Sequence, residues 1–352
     1  MKRLILLICS GLIFQIAYSQ SKVVEFLVGG KNDANALVNG YLKPYASAFG
    51  DGLNNGWYNS AETHKLFGFD VTFSVSAIRI PERDRTFDLN EIGLTKLTLE
   101  DPSKHLAPSA AGKEVDGPVL QVHDLEGNVI STFSTPKGTG FDIVPVPMAQ
   151  IGFGVLPNTD IIGRFVPKMK YDNNGDEFEF GFFGLGVKHN FMEWIPVLKA
   201  LPFDASVFGS FSKINAQSEI SFDPSDFSTG NVKVTFDRDK QKLDFDTKTT
   251  KFGLVLSKKI GVLTVFAGVG HSTSETSINL LGKYIIESTF NSNGKPITTK
   301  DELNDPISVN FSDKNLSMDA GLRLKLAFFS LFASVNKAEY ASYNAGISMG
   351  YR

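Results

Sequence analysis

Five histidines, His64, His105, His123, His189 and His271, are the first residues to test for chemistry. No two of them stand at the HExxH spacing or at any other zinc-site spacing. His271 lies beside Ser272 and Ser274, and His189 beside Asn190. These are residue types of a hydrolytic site, but neighbours on one strand point to opposite faces. That is poor geometry for a triad. Asp172, Asn174 and Asp176 follow the one-three-five spacing of a calcium loop, yet no Gly follows Asp176 and Phe183 stands where the bidentate Glu belongs. A polar loop accounts for them equally. Gly138 and Gly140 in KGTG read as a turn. There is no GxSxG, no phosphate loop and no basic stripe for nucleic acid. No catalytic residue, metal or cofactor is expected. What remains is a binding chemistry. Asn54, Asn55, Trp57 and Tyr58, within GLNNGWYNS, set amide donors and acceptors beside two aromatic faces. They are the candidate ligand-binding or gate residues.

Which elements position them follows from the two ends of the chain. The sequence starts MKRLILLICSGLIFQIAYSQ. Lys2 and Arg3 precede an apolar run, Leu4 to Ile16, and Ala17 and Ser19 are small residues at a cleavage site. A signal peptide over 1–19 is expected. Cys9 is the one cysteine of the 352 residues and leaves with it, so no disulfide or thiol chemistry is expected of the mature chain. The net charge of −3 implies neither a polyanionic nor a polycationic partner. Beyond the leader no apolar run is long enough for a membrane helix. Barrel strands, whose hydropathy signal is weaker, are not excluded.

The period-two test answers strongly along the rest of the chain. In LSMDAGLRLKLAFFSLFASV, Leu316, Met318, Ala320, Leu322 and Leu324 alternate with Ser317, Asp319, Gly321 and Arg323. The same holds for 67–77, 149–155, 205–212, 263–269 and 341–351. The second face carries Gly, Ser, Asn and occasional charges rather than a second apolar set. That pattern suits a barrel with lipid outside and water or a plug inside. A soluble antiparallel sandwich alternates too, but at this size needs strands that are apolar on both faces. LeuProAsnThrAsp at 156–160, SerLysLysIleGly at 257–261 and AlaPhePheSer at 327–330 read as tight turns, and all three fall on one side when the strands alternate in direction. The reading places strands at 147–156, 160–170, 177–190, 203–222, 231–257, 262–290, 305–326, 328–337 and 340–352. It takes 231–257, 262–290 and 305–326 as single strands reaching far beyond the outer surface. FMEWIPVLKALP, 191–202, reads either as a small amphipathic helix or as an irregular apolar turn. VLQVHDLEGNVISTF, 119–133, reads as a hairpin turning at Glu126-Gly127-Asn128.

Residues 33–50 read as a short helix broken at Pro44. With the polar, aromatic stretch that follows, they form an N-terminal segment, 20–66, that either plugs the barrel or caps it. GLNNGWYNSAETHKLFGFDVTF, the excursion IPERDRTFDL, PVPMAQIGFGVLPNTDIIGRFVP and GFFGLGVKHNFMEWIPVLKALPFDASV together resemble an uncharacterised family of bacterial outer-membrane barrels. More distantly, GVLPNTDIIGRFVP and GLGVKHNF are similar to the long-chain fatty-acid and aromatic-hydrocarbon transporter family. That likeness implies a hatch preceding the barrel. This chain departs from it at the end, where Tyr351-Arg352 shifts the terminal aromatic by one place.

The expectation is therefore an all-β fold in the bacterial outer membrane. It is a transmembrane antiparallel up-and-down β-barrel of 10–14 strands over 67–352, with a hairpin-rich excursion at 81–146 and a short helical N-terminal plug segment. Expected partners are outer-membrane lipid, the barrel-assembly machinery during biogenesis and a small hydrophobic solute. The first functional expectation is a plugged transporter or channel. The alternative is a structural or docking protein with the barrel as anchor, and a third reading is a rim lipid hydrolase.

Overall fold

The computed structural model describes residues 25–351 apart from 125, 174–175, 220–227, 230, 237–240 and 293–294. The expected leader lies outside the described residues, and so does Asn174 of the calcium-like spacing. A helix, Gly30–Asn54, precedes the first strand, β1 (Phe69–Arg79). An excursion follows with β2 (Thr86–Asp88), β3 (Leu97–Leu99), β4 (Leu106–Pro108), β5 (Val119–His123) and β6 (Val129–Ser134). Then come β7 (Ile143–Leu156), β8 (Thr159–Asn173), β9 (Asp176–Asn190) and β10 (Asp204–Glu219). β11 (Ser228–Thr229) and β12 (Val232–Phe236) lead to β13 (Lys242–Ile260) and β14 (Leu263–Leu281). The chain ends with β15 (Lys283–Ser292), β16 (Lys295–Asn304), β17 (Ile307–Leu326), β18 (Phe329–Lys337) and β19 (Ala341–Tyr351).

Ten of these strands close into an antiparallel barrel in the order β1-β19-β18-β17-β14-β13-β10-β9-β8-β7, with β1 pairing both β19 and β7. The alternation seen in the sequence is the pleat of this wall. On β17, Leu316, Met318 and Leu322 are exposed while Ser317, Asp319 and Arg323 are buried or nearly so. Phe73, Phe165, Phe183, Leu185, Phe252, Leu254, Val265, Leu331 and Ile347 continue the apolar belt round the outside. A belt outside and polar residues within make this an outer-membrane barrel. Short connections mark the periplasmic end. Asn158, Gly261 and Ala327 turn there with φ of 61°, 61° and 55°, and the C-terminal end of β19 lies beside them.

The region 81–146 adds only β7 to the wall, which starts at Ile143 rather than 147. The hairpin of β5 and β6 forms, with Gly127 at φ 86°. It joins β3 in a separate three-stranded sheet. Two of the three long strands expected from the alternation, 231–257 and 262–290, are divided, while 305–326 forms as the single strand β17. β12, β15 and β16 join β11 in a four-stranded sheet at the outer end instead of prolonging the wall. The cause is local: Gly282, at φ 120°, takes a conformation closed to L side chains and swings the chain from β14 into β15. The stretch 191–202 is a 3₁₀ turn, Met192–Trp194, followed by a four-residue helix, Pro196–Lys199, with Trp194, Ile195 and Val197 exposed.

The helix is not broken at Pro44; it runs 25 residues through it. An interior proline costs about 3 kcal/mol, which packing offsets here. The first half of the helix and the turn before it share one apolar core with the outer sheets: Phe26, Leu27, Leu37 and Val38 meet Leu97, Leu120, Phe133, Val234, Tyr284 and Val309. Asp33, fully buried, accepts hydrogen bonds at 2.7–2.8 Å from the Thr95 hydroxyl and the backbone N–H groups of Thr95, Lys96 and Leu97. Asn35 acts as a strand partner for β17: its Nδ2 donates to Pro306 O (2.8 Å) and its Oδ1 accepts from Ser308 N (2.7 Å). The second half descends among the inner walls, where Ala48 and Leu53 meet Ile78, Val144, Val146 and Phe182.

Candidate functional site

The segment after the helix, residues 55–68, continues down the lumen and enters β1 at the periplasmic end. The strands hold it through their inward-facing positions. Asn54 Nδ2 donates to Thr273 O (3.0 Å) and Asn55 Nδ2 to Ser342 Oγ (2.7 Å). Trp57, 2 % exposed, donates from Nε1 to Leu53 O (3.2 Å). Its ring lies over Gly184 and Gly186, where a Cβ would come to 3.0 Å of it. Tyr58 donates to Asp319 Oδ2 (2.7 Å), and its ring meets Phe208 edge-on at 5.0 Å. All four candidate gate residues thus converge inside the barrel, two by their amides and two by their rings.

Charged groups from the wall close around them. The Arg164 guanidinium sits 3.7 Å above the Trp57 ring. It donates to Gln150 Oε1 (3.0 Å), Leu53 O (2.9 Å) and Asn55 O (2.7 Å). Lys251 pairs with Asp319 at 3.3 Å. Further down, His64 stands between two carboxylates, with Nε2 3.1 Å from Asp70 and Nδ1 3.1 Å from Asp160. Lys188 meets Asp160 at 3.2 Å and donates to Ser60 O and Glu62 O. The space left is small. One cavity beside Trp57, His64 and Asp160 and another beside Tyr58, Lys251 and Asn336 measure about 10 Å³ each. Each has room for about one water.

One stretch of wall differs from the rest. The β7–β8 ladder ends at Ile151↔Gly163, while β8 stays paired to β9 as far as Asn173 and β7 to β1 as far as Ile143. Among the described residues, β7 has no registered partner on β8 from 143 to 150. Pro145 and Pro147 on β7 and Pro167 on β8 bring no N–H to this seam. Behind it lie Val144, Val146, Met148, Val166, Phe182 and Ile214, together with Tyr45 and Phe49 of the helix.

The family of unknown function DUF6588 matches residues 1–351. The chain belongs to that family. No curated protein matches it in sequence. Among solved structures it is similar to Ail, the attachment invasion locus protein of Yersinia pestis, at 12 % identity and TM-score 0.25, over 82 % of this chain and 99 % of that one. It is similar to the translocator domain of the autotransporter NalP from Neisseria meningitidis at 10 % and 0.29, over 88 % and 93 %. The TodX monoaromatic hydrocarbon channel gives 10 % and 0.24, over 82 % and 67 %.

The other histidines stand apart. His271 packs against Phe252 at 5.7 Å while Ser272 is buried on the inner face. His189 meets the Trp194 ring at 4.4 Å, tilted by 54°, and Thr159 at 2.9 Å. The sequence reading missed His64, Asp70, Asp160, Arg164, Lys188 and Lys251 as a group. The available signal was parity: Asp160, Arg164, Lys188 and Lys251 each occupy the inward position of an otherwise apolar alternating strand. Such charges need partners inside.

Proposed function

We propose that this family member passes a small apolar solute from the cell surface into the bilayer, through the side wall of a barrel whose lumen is plugged by residues 30–68. The seam between β7 and β8 carries this reading. It faces the apolar belt on one side and the apolar cluster of Val146, Met148, Val166 and Phe182 on the other. Below the helix the lumen is polar and ionic, and the two cavities beside Trp57 and Tyr58 each hold about one water. An apolar solute would meet unpaired charge costs going down and none going sideways. Asn54, Asn55, Trp57 and Tyr58 are the gate residues of this reading, because they tie the segment to the wall.

The test is a lock. Only Cys9 precedes a cysteine-free chain, so Ala149→Cys with Phe165→Cys gives a clean pair flanking the seam. On this reading, cells expressing it should take up N-phenylnaphthylamine, an apolar dye that fluoresces in hydrocarbon. A short thiol-to-thiol cross-linker should abolish the uptake that the protein confers. Uptake unchanged by cross-linking would sink the lateral route. The docking reading is favoured by a separate observation, the apolar core shared by the helix and the outer sheets, which gives the barrel a folded external body. Binding of a surface partner by a chain that confers no dye uptake would establish it instead.

A further inference from the structure

Arg164 makes contacts that belong to two different bodies. Toward the wall, Nε donates to Gln150 Oε1 across the seam at 3.0 Å. In the register of the last pair, Ile151↔Gly163, Gln150 is the residue that would next oppose Arg164. The side chains therefore take over at the point where the backbone ladder stops. Toward the segment, Nη1 and Nη2 donate to Leu53 O and Asn55 O at 2.9 and 2.7 Å, and the cation lies over Trp57.

The electrostatics make this arrangement conditional. Arg164 is fully buried, and among the described residues no carboxylate pairs with it. Its charge is met by carbonyl oxygens at the end of the helix Gly30–Asn54, whose last turn has no basic residue of its own. A helix C-terminus carries partial negative charge, and a cation there is favourable. Withdrawal of the segment would take away both carbonyls and the Trp57 ring together. It would leave the guanidinium with Gln150 as its remaining partner among the described residues, unfavourable until another acceptor reaches it. The guanidinium would then turn to whatever acceptor or water enters, and Gln150 would lose its only tie across the seam. The dependence runs both ways, since coupling between two sites is reciprocal.

We infer that Arg164 is the coupling residue of the barrel: it holds the luminal segment and the β7/β8 seam in one closed state, so that neither opens alone. This inference rests on the lateral-route reading for its purpose, but its test needs no solute. The readout is backbone amide exchange over residues 54–66 of the full chain in lipid nanodiscs. The perturbations are made at the seam. Gln150→Leu removes the seam contact and also the donation from Gln150 Nε2 to Trp57 O (3.3 Å), so the share of its effect that passes through Arg164 is read against an Arg164→Lys background. The substitution should speed exchange at 54–66 by about tenfold or more, as expected for loss of a hydrogen bond to a charged group. Cross-linking the Ala149→Cys, Phe165→Cys pair should slow the same amides. Arg164→Lys keeps the charge but loses the planar fork, and in that background Gln150→Leu should retain only the smaller effect of losing the Trp57 O bond. If exchange at 54–66 ignores the cross-link, or if Gln150→Leu acts equally in the parent and in the Arg164→Lys background, Arg164 is a local contact and the coupling is wrong. If coupling is seen but the cross-link leaves dye uptake intact, the lateral route fails and the coupling stands.

Discussion

Trp57→Ala is the sharpest probe of how the lumen is closed. The ring is 2 % exposed, bonded to Leu53 O, covered by Arg164 and seated on two glycines. Removing a buried Trp side chain costs about 3–5 kcal/mol from lost transfer energy and the cavity left behind. The cation–π contact adds up to about 2 kcal/mol when desolvated, but water entering this polar lumen returns part of that. A net loss of about 3 kcal/mol is the working figure. It would fall on the segment and not on the ladders, because Trp57 contributes no strand pairing. At 1.4 kcal/mol per decade, the open population of residues 55–66 should rise about 10²-fold. Two measurements read this. Amide exchange over 55–66 should accelerate by that factor while strand amides stay protected. Planar-bilayer recordings of the refolded chain, silent for the unaltered protein, should show discrete conductance. Strand amides accelerating in step with the segment would refute the separation of segment from wall. A silent variant with fast segment exchange would mean the lumen stays blocked from above by the helix.

Leu322→Arg places a charge on the apolar belt, where Leu322 is 50 % exposed, and should cost about 2–4 kcal/mol in urea refolding into lipid. Ser317→Thr, on the inner face, should be mild by the same assay. Gly268→Ala puts a methyl against the Tyr58 hydroxyl and the Asp319 carboxylate. Overpacking of about 1–3 kcal/mol should appear as loss of the Tyr58–Asp319 contact, seen as faster exchange at Tyr58 than in the parent. Asp51, at the outer mouth above the apolar belt, accepts from Tyr340 N at 2.9 Å. Burial, helped by Asp313 and Glu339, pushes its carboxyl up to about 7 against the Tyr340 hydrogen bond. A folded value above the unfolded one, about 4, means the folded state holds the proton more tightly. The stability so gained is complete below about pH 4 and is lost as pH rises through about 7. Asp51→Asn should therefore flatten the fall in denaturation midpoint between pH 5 and pH 8.

The wall was legible in the sequence because its signal is periodic. Leu316, Met318 and Leu322 announce their face by spacing alone, and the turns at Asn158, Gly261 and Ala327 lie where the strands had to reverse. The division of the long strands was hidden, since β14 and β15 are one apolar-polar run broken only by the backbone of Gly282. The helix through Pro44 was hidden for a different reason. Its stability comes from the walls on either side, and no local propensity records that. Asn54, Asn55, Trp57 and Tyr58 could be chosen from composition, but their anchors could not. Arg164 and Lys188 sit more than a hundred residues from most of what they hold, Asp160 sits 96 from His64, and parity tells only that they face inward. The seam was the least legible feature, because a missing ladder leaves no pattern beyond Pro145, Pro147 and Pro167.

The chain crosses the lumen before it lays down its first strand. The helix starts among the outer sheets, at Asp33 and Asn35, and β1 begins at the opposite end. β1 then pairs with both β7 and β19, so it is the stave that shuts the ring. The occupant and the first stave of its container are thus one continuous piece of chain, and in chain order the occupant comes first.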